Sequence, residues 1–272
     1  MAAGFFMQTL DTTIVNTALP SVAMSLHESP LAMRSIVVAY TLAMALIMPA
    51  SGWLADRFGT RRVYLTAILI FVLGSICCSS ALTLNQLVFA RVLQGIGGSM
   101  LVPIGRLAVL RRMSGEQFVS AIATVAIAGQ AGPIVGPTLG GWFAEVPSWH
   151  WIFLVNLPIG ALGLAAASRY LPREVTGKAP PFDMLGCALL SLAVIAFSLA
   201  TDAPLDNHRV VWSAGFLIFG LVVTVGYVVH AKHRINPIFS LKLFHARNYI
   251  VGLVRNLVSR IGSSAVPSYC HC

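Results

Sequence analysis

Charge is what this sequence has least of. Only 10% of its 272 residues are Asp, Glu, Lys or Arg, against about 25% in water-soluble domains. With 57% hydrophobic residues and a mean hydropathy of +0.81, that scarcity excludes a soluble globular domain and identifies an all-α polytopic membrane protein. A disulfide framework is also missing. Of the 5 cysteines, Cys77, Cys78 and Cys187 lie inside apolar runs, and adjacent cysteines bridge poorly. The terminal Cys270-His271-Cys272 lacks the spacing and further ligands of a zinc site. There is no Walker A loop, because the GKAP at residue 177 lacks its frame, and there is no HExxH, nucleophile elbow or sizeable soluble domain. The expectation is a protein that is not an enzyme and uses no cofactor or metal. Any energy for transport would come from an ion gradient. The N-terminus shows no basic n-region or small-residue cleavage site and runs directly into an apolar span, so no cleaved signal peptide is expected.

What is present is a series of apolar runs. A hydrocarbon core of about 30 Å needs about 20 helical residues, and such runs fall at about 2–24, 33–55, 63–82, 84–109, 118–143, 150–171, 183–201 and 210–231. A ninth begins near 248 and is cut off by the end of the chain. A span broken there would leave backbone polar groups without partners in lipid, so the chain is expected to be truncated. The connection LPREVTGKAPPFD, residues 171–183, is the most polar stretch between spans and marks a bundle boundary.

The net charge of +9 is spread in short clusters between spans, which points to orientation in a bilayer and away from nucleic acid. Arg57, Arg61 and Arg62 follow the second span, Arg111 and Arg112 the fourth, Arg173 and Lys178 the sixth, and Lys232, Arg234, Lys242 and Arg247 the eighth. The loops on the other side hold Arg34 and Arg209, with His27, Glu28, Glu145, Asp202 and Asp206. By the positive-inside bias the N-terminus is cytoplasmic.

Asp11 is the one carboxylate near the middle of a span, roughly 14 Å into the first helix at 1.5 Å per residue. An ionised carboxylate at that depth costs at least about 2.5 kcal/mol on insertion scales, so it is a candidate for ion or substrate handling. The alternative is helix-packing glue, bonded to Thr9, Thr12, Thr13 or Asn16. Arg91, roughly 10 Å into the fourth span, cannot lose its proton and must pair, snorkel or face water. Asp11 is its intramembrane partner by charge. Gly95, Gly97 and Gly98 after it have no preceding strand and read as helix packing. GQAGPIVGPTLGG, residues 129–141, joins small residues to Pro133 and Pro137 and suggests a tight crossing with a kink, where a transporter would hinge or seal. GWLADRFGTRR, residues 52–62, places Asp56 among basic residues, where it can pair with an Arg or cap a helix. WHWIFLVNLPIG, residues 149–160, puts Trp149 and Trp151 at the outer interface, with His150 interfacial.

LDTTIVNTALP, GWLADRFGTRR, RVLQG, GQAGPIVGPTLGG and WHWIFLVNLPIG, in that order along the chain, resemble the successive signatures of the major facilitator superfamily, and more narrowly its 14-helix drug:proton antiporters. The resemblance runs over about residues 1–266. It implies a six-helix bundle over residues 1–171, a cytoplasmic linker with two inserted helices over 172–247, and the start of a second bundle over 248–272. It further implies alternating access in a bacterial inner membrane, with protons and small amphipathic or cationic compounds as partners and a missing C-terminal half needed for a complete transporter. Inverted repeats would make the first and fourth helices counterparts, with Asp11 and Arg91 facing one cavity. Carried over by motif, Asp11 matches a first-helix acid implicated in proton coupling or substrate recognition, and Arg91 an arginine linked to proton transfer. Gly132, Pro133, Gly136, Pro137, Gly140 and Gly141 match the antiporter motif. Gly52, Asp56, Arg57, Gly59 and Arg61 match the cytoplasmic gating loop. His150 departs from the family's usual Arg. The alternatives are a metabolite facilitator or symporter of the same fold, or a truncated non-transporting fragment.

Overall fold

The computed structural model describes residues 1–145, 148–171, 181–201, 207–234, 237–238 and 251–252, and their regular structure is entirely helical. The α-helices among these residues are, in chain order, α1 (Ala2–Ser25), α2 (Arg34–Ile47), α3 (Ser51–Phe58), α4 (Thr60–Ser79), α5 (Leu84–Arg112), α6 (Glu116–Glu145), α7 (Trp151–Leu154), α8 (Asn156–Tyr170), α9 (Met184–Thr201) and α10 (Asn207–His233). Arg173, Lys178, Asp202, Asp206, Lys242, Arg247, the ninth apolar run and the Cys270–Cys272 tract lie outside the described residues.

Two of the expected spans are broken, and proline explains both. Pro49 has no N–H to continue the ladder, so the second span passes through a 3-10 turn at Met48–Ala50 between α2 and α3. Pro158 does the same one turn into α8, and the sixth span divides at Val155. Gly59, at φ 87°, closes α3 and starts α4 in a backbone region that side chains rarely tolerate. Thr83 begins α5 by accepting from the Gln86 N–H, while Gln86 Oε1 accepts from the Leu82 N–H at 2.9 Å, a capping box in outline.

Among the described residues, six segments are long and apolar enough to cross a membrane: Arg34–Phe58, Thr60–Ser79, Leu84–Arg112, Glu116–Phe143, Trp151–Tyr170 and Val211–His233. The helix α1 is equally long but carries Gln8, Thr9, Asp11, Thr12, Thr13, Asn16 and Thr17, and it is not among them. In α9 the apolar stretch Met184–Ala200 is shorter.

The bundle forms around α5, which packs against α1, α2 and α4, while α6 packs along α1 and α10 along α9. Two apolar clusters fill it. One gathers Ile14, Val15 and Ala18 of α1 with Cys78, Leu87, Ile152 and Phe153; the other gathers Met7 with Tyr64, Ile68, Phe71, Leu101 and Ile104. Helix α9 docks where Pro49 disturbs α2: Ser191 Oγ donates to the Leu46 carbonyl at 2.7 Å. Trp53 and Phe182 meet at 4.7 Å beside it.

Candidate functional site

Helices α1, α4 and α5 each carry a polar residue between their contributions to the two apolar clusters, and Asn156 opens α8 between the contribution of α7 to one cluster and that of α8 to the other. These residues are Asp11, Ser75, Arg91 with Gln94, and Asn156, all at most 1% exposed. They form a polar layer at the waist of the bundle. Arg91 Nη1 donates to Asp11 Oδ2 at 2.7 Å and to Gln94 Oε1 at 2.6 Å. Gln94 Nε2 donates to Asp11 Oδ1 and to Ser75 Oγ, both at 2.8 Å. Asn156 Nδ2 reaches the same two acceptors at 3.1 and 3.3 Å. The Cys78 thiol approaches Gln94 Oε1 at 3.6 Å. The guanidinium lies over the Tyr40 ring, 4.3 Å from its centroid, with Phe153 at 5.7 Å. Three donors therefore converge on one carboxylate in an enclosed site, where each bond is strengthened by the low dielectric.

Asp11 and Arg91 thus meet as their charges suggest. Among the described residues both are enclosed within the bundle, at 0% and 1% exposure. The alternative partners for Asp11 are corrected. The Thr9, Thr12 and Thr13 hydroxyls donate to backbone carbonyls one turn back, the ordinary way a mid-helix threonine satisfies itself, and Thr12 and Asn16 lie on an exposed face of α1. Gln94, Ser75 and Asn156 escaped the sequence reading because an uncharged polar residue in a span is no anomaly. The available signal was that Gln94 stands one turn after Arg91, at the spacing where helix neighbours touch.

The Gly/Pro stretch of residues 129–141, expected to match an antiporter motif, lies on α6 against α1. A Cβ on Gly132 would collide with Thr9 and come within 2.7 Å of the Leu10 nitrogen; on Gly136 it would collide with Thr13, and on Gly140 it would come within 3.0 Å of the Ile14 carbonyl oxygen. Thr13 Oγ1 also donates to the Gly132 carbonyl at 3.2 Å. Pro133 and Pro137 sit inside this helix. Gly141 faces open space and takes no part in the crossing.

In the loop of residues 52–62, expected to match a gating loop, Asp56 pairs with Arg111 at the end of α5, and Arg111 Nη1 also donates to Thr60 Oγ1 at 2.9 Å. Asp56 therefore pairs across elements and does not cap α4, whose N-terminus has no side-chain cap. Arg61 Nη2 donates to the Ser168 carbonyl at 2.5 Å and Arg112 Nη1 to the Tyr170 carbonyl at 2.7 Å, so two cations meet the negative C-terminal end of α8. Arg57 is exposed, and Gly52 has nothing near its Cα side.

At the opposite end the expectation for Trp149 is corrected. It is 4% exposed, and its Nε1 donates to Ser25 Oγ at 2.9 Å, tying α7 to α1; Trp151 is half exposed. His150 stacks on Trp149, 3.8 Å between ring centroids, and burial holds its imidazole below the usual value. Among the described residues no group of three or more His, Cys, Asp or Glu side chains is placed to hold a metal ion.

Residues 1–229 match the family model described as Major Facilitator Superfamily. The chain is 48% identical over 272 residues to the MdtD protein of Yersinia enterocolitica serotype O:8 / biotype 1B, covering 98% of this chain and 57% of that protein. It is 47% identical over 268 residues to MdtD of Escherichia coli O1:K1 / APEC, with the same two coverages. The name of these relatives records multidrug resistance as a provisional assignment. The chain spans little more than half the length of the curated relatives it matches. Among solved structures, the human organic anion transporter MFSD10 (TETRAN) superposes with a TM-score of 0.56 at 18% identity, over 76% of this chain and 56% of that one.

Proposed function

Since this chain belongs to the Major Facilitator Superfamily, a family of multi-pass membrane transporters and not of enzymes, we propose that it forms the N-terminal part of a proton-coupled exporter of small amphipathic or cationic compounds. The unit would work by alternating access in a bacterial inner membrane, with the N-terminus cytoplasmic. Residues 1–171 would make the first bundle, 172–247 the linker and inserted pair, and 248–272 the opening of the second bundle. The likeness to relatives named for multidrug resistance supports the substrate class.

The observation that carries the reading is the sealed waist network. A carboxylate held by Arg91, Gln94 and Asn156 is a site where binding one proton alters the hydrogen bonds that three helices make to it. It sits on α1, whose other face is pressed by the antiporter-motif glycines onto α6. A proton taken up at Asp11 would neutralise the partner of Arg91 and leave a buried cation unpaired. That is costly, so protonation would favour a different packing of α1. Such coupling of a charge change to a two-state packing is the physical requirement for ion-driven exchange. The kinked α6 and the Asp56–Arg111 pair at the gating loop would be the elements that respond.

The test is transport by a protein of the relatives' full length containing this segment, reconstituted in vesicles with a pH-sensitive dye. Asp11→Asn is expected to insert normally yet lose efflux driven by a pH gradient. Full pH-driven efflux by that variant would remove Asp11 from coupling. Substrate movement in the same direction as the proton would replace antiport with symport.

A further inference from the structure

The waist network contains one group that the coupling reading above does not use. Asp11 accepts three hydrogen bonds, and each donor differs in its ability to become an acceptor. Arg91 has no acceptor atom. Gln94 is fixed in one orientation, because turning its amide over would place the NH2 group against the Arg91 guanidinium that its Oε1 now receives at 2.6 Å. Asn156 is bound differently. Its two hydrogen bonds, 3.1 Å to Asp11 Oδ1 and 3.3 Å to Ser75 Oγ, are the longest of those that Asp11 and Ser75 accept, and its carbonyl Oδ1 is buried with no partner.

We propose that Asn156 is the positioning residue that lets the enclosed Asp11 take up a proton, by turning its side-chain amide half a turn. With Asp11 ionised, Nδ2 donates to the carboxylate and Oδ1 is the orphan. When a proton from hydronium binds at Asp11 Oδ1, releasing water, that oxygen becomes a donor and faces an N–H. Turning the amide brings the Asn156 carbonyl to the same place, where it accepts from the new O–H. The Ser75 hydroxyl, which is donor and acceptor alike, reverses its role and donates to the same carbonyl. Nδ2 then takes the orphan's position. The turn keeps two hydrogen bonds on Asn156 and exchanges an orphaned carbonyl for an orphaned NH2, so the new O–H on Asp11 finds a partner within the layer. An unpaired buried O–H would otherwise carry the full desolvation cost of that group.

The charged and titratable groups that face Asp11 are Arg91 of α5, Tyr40 of α2 and Cys78 of α4. The ionisable residues of α8 and α6 lie toward their ends, at Arg169 and Glu116 for example. Asn156 is thus the group from the α8 side that answers a change at Asp11.

The inference rests on Asp11 being the proton site, and infrared difference spectroscopy separates the two claims. It uses the 272-residue chain itself in lipid nanodiscs, with isotope labels on aspartate or asparagine side chains and acidification as the perturbation. The expected result is a protonated-carboxyl band absent from Asp11→Asn, accompanied by a shift of an asparagine carbonyl band absent from both Asp11→Asn and Asn156→Leu. Asn156→Leu loses both the donor to the ionised carboxylate and the acceptor for its O–H, so the carboxyl band should persist on acidification but shift in position, as for an acid whose O–H has lost its partner. Ser75→Ala should fold and weaken the asparagine shift without abolishing it, which provides a second reading should Asn156→Leu fold poorly. An Asp11 band with no asparagine shift, or one whose position is unchanged in Asn156→Leu, overturns the role of Asn156 and leaves proton coupling standing. No Asp11 band at any pH overturns both.

Discussion

Asp11 and Arg91 are each other's reason for being in the membrane. Taking two ions out of water costs several kcal/mol apiece, and their attraction offsets it only with good geometry and further hydrogen bonds. Here Gln94 and Asn156 supply those bonds. Removing one partner leaves a buried uncompensated charge, so Arg91→Met is expected to destabilise the bundle by about 3–5 kcal/mol, read from unfolding in mixed micelles. The double replacement Asp11→Leu with Arg91→Met should recover most of that loss while transport by the full-length protein stays absent. A double variant no more stable than the single one would mean that the pair is not the unit. At this scale the sequence was legible where residues are expensive. A lone carboxylate and a lone guanidinium in apolar runs point to each other by cost alone. Ser75, Gln94 and Asn156 cost little in a helix span, so nothing in their identity marks them; they become visible only when four helices bring them to one level. Trp149 misled for the converse reason, because an indole suits both an interface and a core and the choice depends on Ser25, more than a hundred residues away in sequence.

Helices were legible from hydropathy and length, while their breaks and crossings were less so. The 3-10 turn at Met48–Ala50 depends on a proline whose effect differs with its surroundings: Pro20, Pro103, Pro133 and Pro137 all sit within continuous helices. The glycine motif of α6 predicted a close crossing but not the face that makes it. Its glycines therefore divide into two kinds. Gly136→Ala drives a methyl group into Thr13 and toward the Ile14 nitrogen at 3.3 Å; overpacking of this sort costs about 1–3 kcal/mol, and a lowered thermal midpoint is expected. Gly141→Ala meets nothing within 4 Å and should be neutral or stabilising by up to about 1 kcal/mol, the helix preference of Ala over Gly. Equal effects would refute this assignment of the motif's packing face. The α9–α10 pair has its own clasp. Asp183, just ahead of α9, accepts from the Gly186 N–H at 3.0 Å and faces His230 Nε2 at 2.9 and 3.1 Å. Burial alone would raise the Asp183 carboxyl, but the Gly186 N–H and His230 outweigh it and hold it below its usual value. Because the folded value is the lower one, the contribution of the ionised form is complete above the ordinary carboxylate range, near pH 3.9, and is lost as pH falls through the folded value. The thermal midpoint of the wild-type chain should therefore drop on acidification below about pH 4 more steeply than that of Asp183→Asn. Parallel curves would show that the clasp contributes nothing.

At the scale of the molecule, the two ends of the bundle differ as a bilayer requires. Arg61, Arg111 and Arg112 converge on one end through contacts to Ser168, Asp56 with Thr60, and Tyr170. The other end is closed by the Trp149–Ser25 bond, and the exposed His27, Glu28 and Arg34 lie there. That segregation was readable in the order of the loops, since each basic cluster follows an even-numbered span. What the loop order could not give is how the cations are used. They bind carbonyls at the C-terminal end of α8 and the Asp56 carboxylate, so the end richest in charge is also cross-linked. If this end faces the cytoplasm, as the positive-inside bias requires, the α5–α6 turn lies inside and the α1–α2 turn outside. Ser114 and Ser29 are exposed at those two turns. In a background without the five native cysteines, a membrane-impermeant maleimide should label Ser29→Cys in intact spheroplasts and Ser114→Cys only after the membrane is opened. The reverse pattern would invert the molecule in the membrane. The Asp56–Arg111 pair would then stand on the outer face, where it could not serve as a cytoplasmic gate, and the proton path to Asp11 would have to be drawn from the opposite side.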